Sequence, residues 1–385
     1  MKLDKLCILF TDGDWIESKD QSDSGIRLIQ TGNIGNGEFL YKNDKAKYIS
    51  VDTFKRLNCK EVFPNDILVS RLPEPVGRGC IIPDIGEKMI TAVDCTICRI
   101  NENLVDRKYF CYFLESNAYK TQLEQHVTGT TRKRISRKNL SSIEIDIPEQ
   151  AKQKEVVYKL DRLKKIIQNY NRELDLLDEL VRARFVEMFG DPITNDMLWN
   201  TVKLNDVCYG IGDGLHGTPE YDEYGDYPFI NGNNLKNGKI EITPSTKMVN
   251  EDIYRKYFIK LTENTILLSI NGTLGNLALY NGEKVVLGKS ACYCNLIPDI
   301  NRIFVCSVMK TDAFSNFLES NATSSTIKNI GLKVIREFEL IVPPLELQNQ
   351  FASFVEEIDK SRSRIQKSLE ASQELFDSLM QEYFG

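Results

Sequence analysis

Cys95-x-x-Cys98 has the spacing of half a zinc site, and Cys292-x-Cys294 falls at the matching place further along the chain. A structural zinc needs four such ligands, and no second Cys or His pair accompanies either motif. Cysteines spaced along an apolar strand also serve as small buried hydrophobes, and that is how these are read. Only two histidines occur, His126 and His216, at positions that do not match across the chain. A shared histidine-based acid, base or metal site is therefore not expected, and both are read as surface or half-buried structural residues. Pro83-Asp84 with Asp106-x-Lys108 loosely resembles the carboxylate-lysine pattern by which nucleases hold Mg²⁺ and steady an attacking water. The second half has Arg302 at the place of Asp106, so this pattern is not repeated. Gly210-x-Gly212-x-Gly214 lacks the strand-to-helix setting of a nucleotide fingerprint and reads as a turn. By elimination no catalytic, cofactor or metal residue is assigned.

Binding chemistry is better represented. From Thr128 to Lys138 the chain carries five basic residues and no acid. Thr128, Thr130 and Thr131 supply hydroxyls and Gly129 flexibility, so that Arg132, Lys133 and Arg134 can meet phosphates while backbone amides approach them. The counterpart, Thr323 to Asn329, keeps hydroxyls in Ser325 and Thr326 but has only Lys328 as a base. A second pair of loops differs in the same way. Arg71 and Arg78 stand where the other half has Ile270, beside Asn271, and Asn276. Arginine is the bidentate partner of guanine and asparagine of adenine, each contact discriminating by about 1–3 kcal/mol. Equivalent loops with different polar residues are what two readers of different sequences need; solvated loops with idle charges are the plainer alternative.

These loops must be positioned by something, and a duplicated helix is the dominant element. Val156, Leu160, Leu163, Ile167, Tyr170, Leu174, Leu177 and Val181 step alternately by four and three residues, the a/d seam of a coiled coil over about four heptads. The same seam recurs at an offset of 195 as Phe351, Val355, Ile358, Arg362, Ile365, Leu369, Ser372 and Phe376, with Arg362 and Ser372 as polar interruptions. Upstream, Lys2 to Cys7 matches Lys203 to Cys208 and Asp12-Gly13 matches Asp213-Gly214 at an offset of 201. Asn36-Gly37 and Asn237-Gly238 are hairpin signals, and Ile67 to Ser70 and Ile266 to Ser269 are buried-strand signals. Each half then has one candidate helix, 106–123 and 302–318, and one closing strand, 143–147 and 338–342.

The expected architecture is α+β: two mixed α/β globules, 1–147 and 191–342, each followed by a helical region, 148–190 and 343–385. A helix of about 35 residues is roughly 50 Å long. Because the second globule joins the end of one helix to the start of the other, the helices are expected to pair antiparallel within the chain. The formal net charge of -6 argues against a generic polyanion binder, so nucleic-acid contact would come from local patches or a basic partner. Ten cysteines with no apolar leader suggest reduced thiols and a cytoplasmic, membrane-free protein.

Taken together, the duplicated Lys-Leu-x-x-apolar-Cys and Asp-Gly openings, the hydroxyl-rich stretches before Ile135 and Ile330, the Pro148 to Gln153 and Pro343 to Gln348 helix entries, and the Phe-Gly endings make the chain resemble a specificity subunit of a type I restriction-modification system. The resemblance spans the whole length. It implies two target-recognition domains reading a bipartite site in double-stranded DNA, with the helical pair as spacer. It further implies two modification subunits that use S-adenosylmethionine to methylate adenine N6, and motor-nuclease restriction subunits that use ATP and Mg. No cofactor is expected in this chain itself. A Mg-dependent nuclease built on Asp84, Asp106 and Lys108, and a coiled-coil adaptor without DNA specificity, are the alternatives.

Overall fold

In the computed structural model, which describes all 385 residues, the chain forms two compact units. One comprises Met1–Asn171 with Gln366–Gly385, the other Arg172–Ile365.

In the first unit the strands β1 (Cys7–Asp12), β2 (Ile26–Ile29), β3 (Ile67–Ser70), β4 (Gly79–Ile81), β5 (Met89–Thr91) and β6 (Cys95–Ile100) divide between two sheets. An antiparallel sheet has the order β1-β6-β3-β4; a second sheet pairs β2 with β5 in parallel. Period-two alternation gives β6 two apolar faces. Cys95 and Ile97 enter a core with Leu68 and Met89, whereas Cys98 and Ile100 enter a core with Leu6, Val69 and Phe110. The Cys-x-x-Cys thiols therefore point to opposite sides of a sheet, and burial pushes both well above the usual thiol range.

The sequence predicts one helix over 106–123. Two form instead, α1 (Arg107–Glu115) and α2 (Asn117–His126), because Ser116 is extended and its side chain caps α2 by accepting from the Tyr119 amide. The closing strand expected at 143–147 is reduced to a bridge between Lys2 and Glu144. From there the chain enters α3 (Gln150–Phe189).

The second unit repeats the plan with β7 (Cys208–Asp213), β8 (Tyr227–Ile230), β9 (Thr265–Ser269), β10 (Leu277–Leu279), β11 (Val286–Leu287) and β12 (Ala291–Leu296). Its antiparallel sheet has the equivalent order β7-β12-β9-β10. Even the bulge recurs: register shifts between Cys7 and Leu9 in β1 and between Cys208 and Gly210 in β7. Asn237-Gly238 closes a two-residue hairpin with both residues at positive φ. Asn36-Gly37 lies in a looser turn bridged from Ile34 to Phe39. The helix expected at 302–318 is again two, α4 (Arg302–Val308) and α5 (Asp312–Asn321), and the final helix is α6 (Leu345–Phe384). Asn301, not Arg302, is the counterpart of Asp106, since each caps its helix from the N-cap position.

The long helices contribute to both units. In the first, Val156 and Leu160 near the start of α3 share a core with Met380 and Phe384 at the end of α6. In the second, Phe185 and Phe189 near the end of α3 share a core with Phe351 near the start of α6. The Tyr109–Phe384 and Phe304–Phe189 ring pairs, equivalent by the repeat, both lie 4.9 Å apart. Between these ends the seam residues Leu163, Ile167, Leu174, Leu177, Ile358, Ile365 and Leu369 are half-buried. Arg362 is accommodated in the second unit by ion pairs to Asp178 at 2.8 Å and Asp359 at 3.3 Å. Ser372 turns its hydroxyl back to the Ser368 carbonyl of its own helix, a bond that answers the polar group locally. No helix is long and apolar enough to cross a membrane.

One polar residue anchors each helix to its globule. Gln153 is buried; its Oε1 accepts from the Asp106 amide at 2.6 Å and its Nε2 donates to the Pro148 carbonyl at 2.8 Å and the Leu104 carbonyl at 3.1 Å. Gln348 does the same, accepting from the Asn301 amide at 2.9 Å and donating to the Pro343 carbonyl at 2.7 Å. A leucine at either place would leave those backbone groups buried without partners. Gln153→Leu and Gln348→Leu are each expected to lower stability by about 1–3 kcal/mol in urea titration. An unchanged unfolding midpoint would show that these bonds do not anchor the helices.

Candidate nucleic-acid interface

The basic stretch is a small closed hairpin. Thr128 and Arg134 exchange two backbone hydrogen bonds of 2.9 Å, and Gly129 takes positive φ, where a side chain would press on the Arg132 carbonyl. Thr128, Thr130, Thr131, Arg132, Lys133 and Arg134 are all exposed. Arg137 beyond the hairpin lies 3.9 Å from Asp12. In the second unit Thr323 and Asn329 close the equivalent hairpin, the Thr323 amide donating to the Asn329 carbonyl at 2.9 Å. Ser325, Thr326 and Lys328 are exposed there, although Ser325 donates its hydroxyl to the Ile327 carbonyl at 2.6 Å.

Each hairpin is tied to the sheet by a ladder of backbone bonds that joins four loops. In the first unit the Ile135 amide donates to the Arg71 carbonyl, the Arg71 amide to Asp94, and the Asp14 amide to Thr91. In the second the Ile330 amide donates to Ile270, the Ile270 amide to Ser290, and the Leu215 amide to Leu287. The loop after the central strand is built alike in both. Ser70 receives from Gly77 and donates to Arg78, while Ser269 receives from Gly275 and donates to Asn276. Gly272 in this loop also donates to Lys328 at 2.9 Å, and Asn271 bridges Asn329. The loops that differ in side chain are thus held in one backbone frame.

Two of the residues proposed from sequence are corrected. Arg78 is only 9% exposed, and its guanidinium donates to the carbonyls of Ile34 (2.6 Å), Leu72 (3.2 Å), Pro75 (2.7 Å) and Thr31 (2.8 Å). Burial lowers its pKa from the usual arginine value, but arginine keeps its charge, and its donors are spent on the loop. Arg71 donates to Val93 at 2.6 Å and Ile135 at 3.3 Å, and its Nε lies 3.3 Å from Asp12 Oδ1 without hydrogen-bond alignment. Both arginines build the frame and have little left for a base. Sequence could not separate them from Arg132 and Lys133, because the carbonyls they serve lie as far as 64 residues away in the chain. Asn271 and Asn276 are half-buried.

The frame also presents two residues for which sequence reasoning gave no binding role. Trp15 is 70% exposed. His216, at the same place after the paired Asp-Gly turns, is 71% exposed and sits 2.8 Å from Asp213. The offset of 201 that aligns Asp12-Gly13 with Asp213-Gly214 is the signal that would have found them.

The residues of the nuclease alternative are otherwise engaged. Asp106 caps α1 through the Lys108 and Tyr109 amides, Lys108 pairs with Asp161 at 2.5 Å, and Asp84 accepts from the Gly86 amide at 2.9 Å.

The family model described as type I restriction modification DNA specificity domain matches residues 1–178 and again residues 197–373. The chain is 20% identical to the specificity subunit of the type I restriction enzyme StySPI from Salmonella potsdam, over 93% of this chain and 81% of that protein. It is also 20% identical to the EcoKI specificity subunit from Escherichia coli, over 90% and 78%. Against the MjaVIII specificity subunit from Methanocaldococcus jannaschii identity is 24%, over 52% of this chain, and the match spans only 44% of that relative's length. The crystal structure of a type I restriction-modification S subunit from M. genitalium aligns with a TM-score of 0.58 at 16% identity, covering 100% of this chain and 95% of that one. A chain from a structure addressing complex assembly and conformational transition of the type I R-M system also scores 0.58, at 13% identity over 100% and 96%. At such identities the likeness is one of fold.

The division between frame and surface has a measurable consequence. Arg78→Ala leaves buried carbonyls without donors and is expected to cost about 2–4 kcal/mol of stability. Arg132→Ala and Lys133→Ala are expected to stay within about 0.5 kcal/mol of wild type. Equal losses in all three, measured by chemical denaturation, would contradict this division.

Proposed function

This chain belongs to the type I restriction-modification DNA specificity family, and from that membership we propose that it is a non-catalytic subunit that reads a bipartite site in double-stranded DNA. Each globule reads one half-site. The observation that carries the reading is the duplicated loop frame, in which the same backbone ladder presents Arg132, Lys133 and Arg134 in one half and Ser325, Thr326 and Lys328 in the other. Phosphate contacts from the hairpins would fix register, and neighbouring side chains would reach base edges. The paired long helices would act as an intramolecular coiled coil that sets the unread spacer and offers docking surface to two modification subunits.

Those subunits would bind S-adenosylmethionine and methylate adenine N6; restriction subunits would add ATP- and Mg-dependent translocation and cleavage. The whole complex would work in the cytoplasm. The overall acidity of the chain is compatible with this, since basic partners can complete a DNA channel. Naming of the relatives as specificity subunits of type I restriction enzymes supports the assignment of partners.

Modularity is the direct test. Exchange of residues 1–147 for the corresponding segment of another family member, followed by mapping of methylated sites in cells that carry the modification subunits, is expected to change one half-site and preserve the other. A change in both half-sites would refute the one-globule, one-half-site reading.

A further inference from the structure

The Asp-Gly turn at the end of β1 and of β7 is seated against its own unit so closely that a Cβ on Gly13 would collide with the Thr91 carbonyl, and one on Gly214 with the Leu287 carbonyl. Bridges from Asp14 to Ala92 and from Leu215 to Gly288 fix the next residue. The side chain after that, Trp15 or His216, stands on a rigid backbone and faces solvent, at 70% and 71% exposure. An indole this exposed contributes little to the fold, and its N–H makes only a 3.4 Å contact with Glu17.

The aspartate of the turn has different company in the two halves. Asp12 accepts from Thr96 at 2.9 Å and lies 3.3 Å and 3.9 Å from Arg71 and Arg137. The equivalent positions around Asp213 hold Cys292, Ile270 and Leu332. His216 is the polar side chain that meets Asp213, through Nε2 at 2.8 Å. A carboxylate only accepts, so the ring nitrogen that meets it carries a proton, and in the tautomer with the proton on Nε2 the acceptor is Nδ1.

We propose that this position determines specificity in both halves: His216, oriented by Asp213, accepts through Nδ1 from the amino group of an adenine or cytosine in its half-site, and Trp15 makes an apolar contact with a base in the other. In the major groove those amino groups are the donors available to such an acceptor, and the thymine methyl is the apolar feature an indole would meet. Asp213 acts as a positioning residue. The inference rests on the DNA-reading function proposed above.

The test uses the full chain assembled with its modification subunits, and competition binding against duplexes that each carry one altered base pair. His216→Ala is expected to relax discrimination about 5- to 100-fold at one base pair of one half-site and nowhere else. Asp213→Asn should relax the same base pair less, and Trp15→Ala should act only in the opposite half-site. His216→Gln, which keeps a polar group of similar reach, guards against loss through misfolding. Weakening spread equally over all duplexes, or an unaltered profile, in His216→Ala overturns the inference. If the wild-type complex itself shows no two-part preference, the DNA-reading function fails instead.

Discussion

A buried glutamine amide in each half, Gln153 and Gln348, is the contact on which the rest of the structure depends. Each sits one turn inside a 40-residue helix and is bonded to the N-cap amide of α1 in one globule and of α4 in the other. Amides are costly to bury, and the cost is offset here because both the oxygen and the nitrogen of the side chain meet backbone groups that would otherwise be orphaned. The direction in which each long helix leaves its globule is therefore fixed by directional bonds as well as by apolar packing. The phenylalanine-rich clusters then receive the far end of the other helix, Phe384 beside Tyr109 and Phe189 beside Phe304. The same residue types around the same anchor, used twice, make the two halves alike in architecture.

Against that constancy the loops vary in a structured way. The backbone ladder linking the Asp-Gly turn, the loop after the central strand and the hydroxyl-rich hairpin recurs bond for bond. Its side chains do not recur: Arg71 becomes Ile270, Arg78 becomes Asn276, and Trp15 becomes His216. Variation is not free even so. Arg78 satisfies four carbonyl contacts in one half that Asn276 could not. Charge at the globule-to-helix contact also changes sign between copies: Glu115 pairs with Lys164 at 3.2 Å, while Lys310 and Asp359 occupy the equivalent positions. Burial raises the Glu115 carboxyl above its usual range even with that lysine beside it.

Periodicity and repetition made the α+β plan and the two long helices legible in the sequence. Heptad steps are local and survive as half-burial at Leu163, Ile167 and Leu174. Local signals failed where the deciding partner is distant. Ser116 breaks an apolar run into two helices because its cap bond outweighs continued helix, and nothing in the hydrophobic pattern announces it. Arg71 and Arg78 have the composition of base readers, yet their partners come from other loops and consume them. His216 reads as structural because it has no matching histidine; if the two halves read different half-sites, as proposed, mismatch at an aligned exposed position is itself a signal.

The proposed function makes the helix pair a ruler between two independent readers. Inserting one heptad into each long helix, at matched seam positions, and mapping methylated adenines in cells that carry the modification subunits measures that claim directly. A longer spacer between two unaltered half-sites is expected. A spacer of unchanged length, with both half-sites still recognised, would contradict it.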